Sequence, residues 1–401
     1  MPYNIAAVDV HKKVLMVVIS DAASEDLPLF RRRFASSASD RQHLLAWLQQ
    51  HGVQEVVMES TAQYWKPLWL DLEPHMPRLH LAHAYSNRAP KGRKHDFGDA
   101  ERLLRRLLCG ELILSFVPDA EQRHWRMLMR GKLQLVRERV RLSNQLEALL
   151  EQMRIKLSSV ISALLGLSGR RILEALAEGQ SDPEALAELG DRRLQCSKEE
   201  LAEALRAPVE PLQRKMLRWS LERLKLLDQQ IQQMDQCAAE AMRRYAEAVM
   251  RLAEMPGFSA DSAQQFIAEV GPRAQAFASA AQLASWIGVC PGREQSAEHN
   301  YSSRSAKGNA YARRILSQAA QAAVKRRGSY FQLTFRRWLP RLGYQAAVWA
   351  IAHKLCRLAW KILHDAVPYQ EHGPLPPSKD RTRRMIRELR RLGYSVTPPV
   401  A

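Results

Sequence analysis

Residues 3–20 read YNIAAVDVHKKVLMVVIS, and this stretch decides the fold of the N-terminal part of the chain. Two apolar runs flank a basic turn at Lys12 and Lys13, and their Val and Ile content predicts a β-hairpin. Asp9 ends the first run. A carboxylate at the end of a buried strand is costly unless a cation compensates its charge. We therefore interpret Asp9 as a ligand of a divalent metal ion.

The segments that follow extend the hairpin into a larger domain. Leucines on one face of residues 40–51 predict a helix, with Ser39 as its N-cap. Residues 54–60, QEVVMES, predict a short buried strand that ends at Glu59, and residues 80–84 predict a further strand. Because strands and helices alternate, the sequence predicts a mixed α/β sheet.

Two more acids open the next predicted helix. Asp96 and Asp99 are three residues apart and share one helix face. Taken alone, they are equally well explained as first-turn acids favoured by the helix dipole. With Asp9 and Glu59 they make four carboxylates, an oxygen ligand set that suits two Mg²⁺ or Mn²⁺ ions. Two such ions can activate an attacking oxygen and stabilise the leaving oxygen in phosphodiester displacement. The preceding segment is basic and offers contacts to a nucleic-acid backbone through Lys91, Arg93 and Lys94.

The middle of the chain predicts two long amphipathic helices. Apolar residues recur at steps of three and four within residues 121–157 and again within residues 217–245. Shorter helices, with breaks at Pro183, Pro208 and Pro211, connect them. This pattern predicts an antiparallel coiled-coil arm whose expected role is spacing or dimerisation.

The C-terminal third is strongly basic. It begins near Met250 with a helix–turn–helix segment that either points backbone N–H groups at a phosphate or forms a packed corner. Residues 301–364 contain no acidic residue, and a one-sign span of this length predicts polyanion binding. The basic residues expected to contact nucleic acid are Arg304, Lys307, Arg313, Arg314, Lys325, Arg326, Arg327, Arg336 and Arg337. A basic, Pro-containing tail follows, and we expect it to be a loosely attached helix.

Bulk composition agrees with a nucleic-acid partner. The formal net charge is +18 at pH 7, which favours a polyanion. The five cysteines are scattered and never occur as CxxC, which predicts a reducing compartment with neither a disulfide framework nor a zinc site. No apolar run reaches membrane-spanning length, so we expect neither a membrane span nor a signal peptide. The expected location is the bacterial cytoplasm, at the nucleoid when the protein is active.

The order of these segments resembles the transposases of the insertion-sequence 110 family, especially its 1111 subgroup. AVDVHK carries Asp9, VVMESTAQYW carries Glu59, and KHDFGDAERL carries Asp96 and Asp99. Two further segments, EMPGFSADSAQQFIAEVGP and LASWIGVCPGREQSAEHNYSSRSAKGNAYARRIL, are similar to the family's C-terminal domain. The resemblance covers roughly residues 3–370.

The resemblance implies a fold of α/β plus all-α class in four parts. Residues 1–120 would form a RuvC-like, ribonuclease-H-like DEDD domain, and residues 121–248 a coiled-coil dimerisation region. Residues 249–366 would form a C-terminal transposase domain with a helix-hairpin-helix-like segment, and residues 367–401 the basic tail.

The resemblance also implies an activity. The chain would be a DNA recombinase that excises and inserts its own element, guided by a structured bridge RNA that pairs with donor and target DNA. Asp9, Glu59, Asp96 and Asp99 would be the metal ligands and Ser296 the nucleophile. Family members combine acids of one protomer with the serine of another, which implies a homodimer or tetramer.

The residues themselves leave alternatives open. A serine hydroxyl is a weak nucleophile that needs a base or a metal ion, and without the resemblance Ser296 is one of several loop serines. One alternative is a RuvC-type structure-specific nuclease that uses water as its nucleophile. The other is a non-enzymatic nucleic-acid-binding protein in which the acids are structural.

Overall fold

The computed structural model describes residues 3–23, 30–59, 62–84, 97–292, 294–296, 299–302, 305–372 and 379–396. The chain divides into two compact units, Met1–Val117 and Pro118–Ala401. Each unit has its own core.

The first unit is built on a five-stranded mixed sheet. Its strands are β1 (Asn4–Val10), β2 (Val14–Asp21), β3 (Phe30–Ala35), β4 (Val53–Glu59) and β5 (Arg78–Ala82), in the spatial order β3-β2-β1-β4-β5. β2 pairs antiparallel with β1 and β3, whereas β4 pairs parallel with β1 and β5. Its helices are α1 (Ala38–Gln50), α2 (Trp65–Leu72) and α3 (Gly98–Leu108). The predicted mixed α/β sheet is confirmed, and its arrangement is consistent with a ribonuclease-H-like domain.

The local predictions for this unit differ in accuracy. The hairpin of β1 and β2 and the strand that ends at Glu59 are confirmed. The N-cap prediction was wrong: Ser37, not Ser39, has extended backbone, and its hydroxyl accepts a hydrogen bond of 3.2 Å from the Asp40 N–H. Ser39 lies inside α1. β3 was not predicted, because FRRRFA is charged and mostly exposed.

The two faces of the sheet bury different residues. Side chains alternate between the faces of a strand, so Val8 and Val10 pack with the leucines of α1 and α2, whereas Ile5 and Ala7 pack against α3. Full burial of a Val or Leu side chain contributes roughly 1.5–3 kcal/mol relative to exposure. These two cores therefore fix the sheet against helices on both sides.

The second unit begins with two long helices. They are α4 (Ala120–Gln152) and α9 (Pro211–Ala241), with α5 (Leu157–Val160), α6 (Leu167–Glu178), α7 (Pro183–Ala187) and α8 (Lys198–Leu205) between them. Lys132 of α4 forms an ion pair with Asp235 of α9. Arg139, which lies later in α4, pairs with Asp228, which lies earlier in α9. The predicted antiparallel pairing is thus present. The leucines of α4 and α9 share one core with α5–α8, and the coiled-coil arm stays a prediction.

The rest of the second unit is mainly helical. A single 3-10 turn, Arg243–Tyr245, precedes α10 (Ala246–Ala253) and α11 (Ala260–Val270), which form the predicted helix–turn–helix. α12 (Ala280–Ile287) leads to a hairpin of β6 (Glu294–Ser296) and β7 (His299–Ser302), and α13 (Ala310–Ala323), α14 (Tyr330–His364) and α15 (Lys379–Arg391) follow. Within the described ranges, no helix combines the length and apolarity that a membrane crossing requires.

The C-terminal helix corrects one expectation. We expected the tail to be loosely attached, but Leu389 and Leu392 are 1% and 0% exposed. Tyr394 is also buried, and its hydroxyl accepts a hydrogen bond from the side-chain amide of Gln264 in α11. Burial of these apolar side chains attaches the end of the tail to the second unit.

Candidate active site

Asp9 and Glu59 lie at the carboxyl ends of adjacent parallel strands. β1 and β4 pair in parallel with Ala7 opposite Val57 and Val8 opposite Met58. Side chains two residues apart on a strand lie on the same face of the sheet. Asp9 therefore lies on the same face as Ala7, and Glu59 on the same face as Val57, which is the face that α3 covers. The strand alternation alone therefore places these two acids on one side of the sheet.

Asp99 joins this face from the helix that covers it. It is the second residue of α3, and Ala100, Leu103 and Leu104 of that helix pack on Ala7 and Val57. Asp99 Oδ1 accepts a hydrogen bond from the Arg102 guanidinium one turn later. Asp96, the fourth acid of the predicted set, lies outside the described residues.

The electrostatics of Asp9 show that three of the acids interact. Asp9 is only 7% exposed. Burial raises the pKa of Asp9, the charges of Asp99 and Glu59 raise it further, and His11 lowers it. A buried carboxylate next to two others is stabilised by any cation that binds among them. Oxygen donors of this kind suit a hard divalent ion.

The described residues alone do not complete a metal site. Among them, no group of three or more His, Cys, Asp or Glu side chains is placed to hold a metal ion. The donor chemistry of Asp9, Glu59 and Asp99 nevertheless fits such an ion, because they are oxygen ligands whose negative charges interact.

His11 is a site residue that the sequence interpretation missed. Its Nε2 lies 3.0 Å from Asp9 Oδ2, and its side chain is 56% exposed. The signal was its position two residues after Asp9, which keeps both side chains on one side of an extended chain. His11 is thus an exposed basic group in direct contact with the buried acid.

Ser296 lies in the second unit, at the end of a short strand. β6 and β7 pair antiparallel, with Ser296 opposite His299 and Glu294 opposite Ser302. Residues 297 and 298, which connect the two strands, lie outside the described residues. The backbone pairing therefore puts Ser296 and His299 at the turn of a hairpin.

The segment after this hairpin is held by tight backbone packing. Gly308 lies against the backbone of Ile287 and Gly288, where a Cβ atom at residue 308 would collide with the Ile287 carbonyl. The Asn309 side chain caps α13 by accepting hydrogen bonds of 3.0 Å from two backbone N–H groups. Lys307, immediately before, is exposed. A fixed backbone thus presents this lysine to solvent.

A buried carboxylate anchors the same segment to α4. Glu269 is 2% exposed and accepts two hydrogen bonds of 2.8 Å from the Arg130 guanidinium. Its Oε2 also accepts a hydrogen bond of 2.8 Å from Asn309. Arg126 lies 3.4 Å from Glu269, and burial lowers the pKa of Arg126 to about 10 against the opposing effect of Glu269. Charge-assisted, bidentate hydrogen bonds are the strong ones, so Glu269 orients the start of α13.

The predicted nucleic-acid contacts that the structure describes fall into two groups. Three are engaged within the protein: Arg313 with the Ala306 carbonyl, Arg314 with Gln265 and Gln318, and Arg326 with Glu371 at 3.8 Å. The exposed group consists of Lys307, Lys325, Arg327, Arg336 and Arg337. Four further predicted contacts lie outside the described residues: Lys91, Arg93, Lys94 and Arg304.

Comparison with known protein families gives two matches. Residues 6–155 match a family model described as Transposase, that of the DEDD transposases of the IS110 group. Residues 249–336 match the model described as Transposase IS116/IS110/IS902 family. No curated protein matches the chain. The two matched regions cover more than half of the chain and contain all five candidate catalytic residues.

These matches and the mixed sheet with its carboxylate face define the class: the protein is a DNA transposase, an enzyme that recombines DNA strands. The chain belongs to the IS110 family of transposases.

Proposed function

We propose that this transposase cleaves and rejoins DNA by a metal-dependent reaction in which Ser296 is the nucleophile. We infer the metal dependence from the position of Asp9, which is buried on the α3 face of the sheet and interacts with Asp99 and Glu59. Asp9, Glu59, Asp96 and Asp99 would hold one or two Mg²⁺ or Mn²⁺ ions. The DEDD family match supports divalent-metal dependence.

The bound ions would supply Lewis-acid stabilisation of charge on the reacting phosphodiester. The chain supplies the other parts. Asp9 and Glu59 orient ligand oxygens from rigid strand ends, and Asp99 does so from the first turn of α3. His11 contacts Asp9 and lowers the pKa of Asp9 against the effect of burial. The pairing of Arg102 with Asp99 keeps a cation beside the acids.

In the proposed serine chemistry, the phosphate remains a diester at every stage. Ser296 Oγ attacks the phosphorus, a serine–phosphate ester forms, the bond to one strand oxygen breaks, and the serine proton passes to a base. The leaving strand oxygen takes up a proton from the protonated base or from water and leaves as a hydroxyl. Attack on the ester by a hydroxyl of another strand then restores Ser296 and joins the new strands. His299, opposite Ser296 in the hairpin, is one candidate for the base.

We further propose guidance by a structured bridge RNA encoded by the element. Base pairing of the RNA with donor and target DNA would read the sequence, while the protein would bind the nucleic-acid backbones through its positive charge. The net charge of +18 and residues 301–364, which contain no acidic residue, support binding of two polyanions at once. The protein would act at the nucleoid.

The assembly is proposed to be a homodimer or tetramer. The antiparallel α4–α9 pair would form the coiled-coil dimerisation arm within residues 121–248. The catalytic domain would span residues 1–120, the serine domain residues 249–366 and the basic tail residues 367–401. Acids and serine would then come from different protomers to act on the same phosphodiester.

The deciding experiment is a search for a covalent intermediate. The full-length protein, with its copurified RNA, is incubated with Mg²⁺ and end-labelled DNA that carries the element ends. Wild type is expected to give a labelled protein–DNA adduct that survives denaturation. Ser296→Ala should give neither adduct nor cleaved strand, whereas the neighbouring Ser303→Ala should give both.

Two outcomes would point to other functions. Strand cleavage by Ser296→Ala at the wild-type rate would mean that water is the nucleophile, as in a RuvC-type nuclease. Binding of DNA without any metal-dependent strand chemistry in the wild type would leave a non-enzymatic binding protein.

Copurified RNA should be one discrete species, and a heterogeneous mixture would contradict guidance.

A further inference from the structure

Helix α14 is broken at Gly343, and the break folds its first half back toward its second. Gly343 has φ 73° and ψ 169°, which only glycine adopts readily, and Pro340 lies shortly before it. Lys354 Nζ donates a hydrogen bond of 2.9 Å to the Tyr330 hydroxyl, 24 residues away in sequence. On a straight helix those residues would be about 36 Å apart. The two halves of α14 therefore face each other.

Both halves line a pocket of about 670 Å³. This volume lies in the range that proteins use for small organic ligands and nucleotides. The walls are rich in rings, contributed by Tyr330, Trp338, His353, Trp360, Tyr369 and His372. Aromatic rings of this kind accept the face of any nucleic-acid base, so stacking on them is tolerant of sequence.

Cationic side chains line the same pocket along one face of the second half of α14. Lys354, Arg357 and Lys361 follow one another at steps of three and four residues, the spacing of neighbours on a helix surface. Lys354 Nζ lies 5.3 Å from the centroid of the Tyr330 ring and 5.5 Å from that of Trp338. Arg357 and Lys361 are exposed and accessible to an anion.

The charges around the pocket favour an anionic ligand. Asp365 is the acid among the lining residues, against three lysine or arginine side chains. The hydrogen bond from Lys354 lowers the pKa of Tyr330, and burial, with Arg357 and Lys354, lowers the pKa of His353. His353 is therefore a neutral ring at pH 7, and the positive charge comes from the side chains that can hold a phosphate.

We propose that this pocket binds an unpaired nucleotide of a single-stranded nucleic acid. The base stacks on Trp338 and Tyr330, and a neighbouring phosphate pairs with Arg357 and Lys361. A base inside a duplex has both faces covered by its neighbours, so only an unpaired base can stack on these rings. The inference concerns binding alone and does not depend on Ser296 or on a metal ion.

The test measures binding of fluorescently labelled oligonucleotides to the full-length protein without divalent metal. The probes are a single-stranded DNA, a single-stranded RNA and a duplex DNA of equal length. Trp338→Ala is expected to weaken single-strand binding about tenfold, since one stacked base contributes on this order, and to leave duplex binding unchanged. A preference for RNA or for DNA identifies which nucleic acid supplies the nucleotide.

Trp219→Ala provides a matched control. Trp219 lies in α9, is 54% exposed, and has Lys215 Nζ 5.1 Å from its ring, so it repeats the lysine–tryptophan pair outside the pocket. This variant should bind all three probes like wild type. Should Trp338→Ala fail to fold, Arg357→Gln and Lys361→Gln replace exposed side chains and should weaken single-strand binding selectively.

A base analogue gives an independent measurement. A single strand that carries 2-aminopurine loses fluorescence when this base stacks, and the loss should occur with wild type and not with Trp338→Ala. Unchanged single-strand affinity in the pocket variants would overturn the proposal, as would equal losses for single strand and duplex. The assay contains no cleavage step, so its failure is distinct from a failure of the proposed serine chemistry.

Discussion

His11 Nε2 lies 3.0 Å from Asp9 Oδ2, so an exposed imidazole contacts the most buried of the candidate acids that the structure describes. His11 opposes the effects of burial and of the neighbouring acids on Asp9. A metal ion bound among these acids would take over that role. Without a metal ion, the ionised form of Asp9 therefore costs free energy in the folded protein.

Replacing Asp9 by Asn should therefore stabilise the metal-free protein. A carboxylate whose pKa is raised by folding costs free energy once it is ionised at neutral pH, and Asn removes that charge while it keeps the shape. The expected gain is roughly 0.5–2 kcal/mol in the free energy of unfolding, typical of relieving a strained functional site. Mg²⁺ should raise the melting temperature of the wild type and not that of Asp9→Asn.

Asp71→Asn is the control for this prediction. Asp71 lies in the same unit, and its Oδ2 is 2.5 Å from Arg41 Nε, so it already has a cation partner. This variant should be slightly destabilised and keep the full Mg²⁺ response. A wild type whose melting temperature ignores Mg²⁺ would contradict the metal assignment.

Glu269→Ala should strongly destabilise the second unit. The substitution leaves the guanidinium groups of Arg126 and Arg130 without their carboxylate, and breaking a buried ion pair costs about 3–5 kcal/mol. Urea unfolding should show a lower midpoint. Glu247→Ala removes an exposed ion pair with Arg251 and should change stability by about 0.5 kcal/mol or less. Equal effects of the two substitutions would refute the anchoring role of Glu269.

Asp228 should give the second unit an acid-sensitive stability. Burial raises the pKa of Asp228, but hydrogen bonds from Arg139 and Arg170 outweigh burial and hold the pKa below its usual value of 3.8. An acid with a depressed pKa stabilises the fold above its unfolded-state pKa, and this contribution is lost as pH falls through the folded-state pKa.

Asp228→Asn should accordingly lower the urea midpoint at pH 7. The difference from wild type should shrink as pH falls below about 3.8, the pKa that an unpaired aspartate approaches. Urea titrations at several pH values measure this directly. A difference that is constant down to pH 3 would show that charge pairing with Arg139 and Arg170 is not its cause.

The strand-end acids illustrate what the sequence can predict. Apolar runs ending in Asp9 and Glu59 specify strands, and the two-residue period then fixes which face each acid occupies. β3 was missed because its apolar positions are few and its arginines are exposed. The fold-back of α14 was missed because Gly343 interrupts a segment whose composition is helical on both sides.

Contacts between distant segments were beyond the reach of sequence patterns. Arg130 and Glu269 are 139 residues apart, and neither has a local feature that selects the other. The docking of Tyr394 on Gln264 likewise depends on tertiary packing, which local composition does not encode. For the same reason, sequence patterns identified the basic span of residues 301–364 but not which of its side chains form hydrogen bonds or ion pairs within the protein.

Salt titrations should show which exposed cations contact phosphate. DNA affinity should fall steeply with salt, and each lost phosphate contact should reduce the log–log slope by about 0.7–0.9. Arg336→Gln and Arg337→Gln, both exposed, should each show this reduction. Arg192→Gln, exposed in the loop before α8 and outside the basic span, should leave the slope unchanged. A flat salt response of the wild type would contradict binding by these residues.

Metal-directed backbone cleavage can test whether Asp9, Glu59, Asp96 and Asp99 surround one metal site. Fe²⁺ with ascorbate and peroxide generates radicals that cut the polypeptide beside the bound ion. We expect cuts near residues 9, 59 and 96–99, suppressed by excess Mg²⁺ and absent in Asp9→Asn. Cuts confined to other segments, or cuts that persist unchanged in Asp9→Asn, would contradict it.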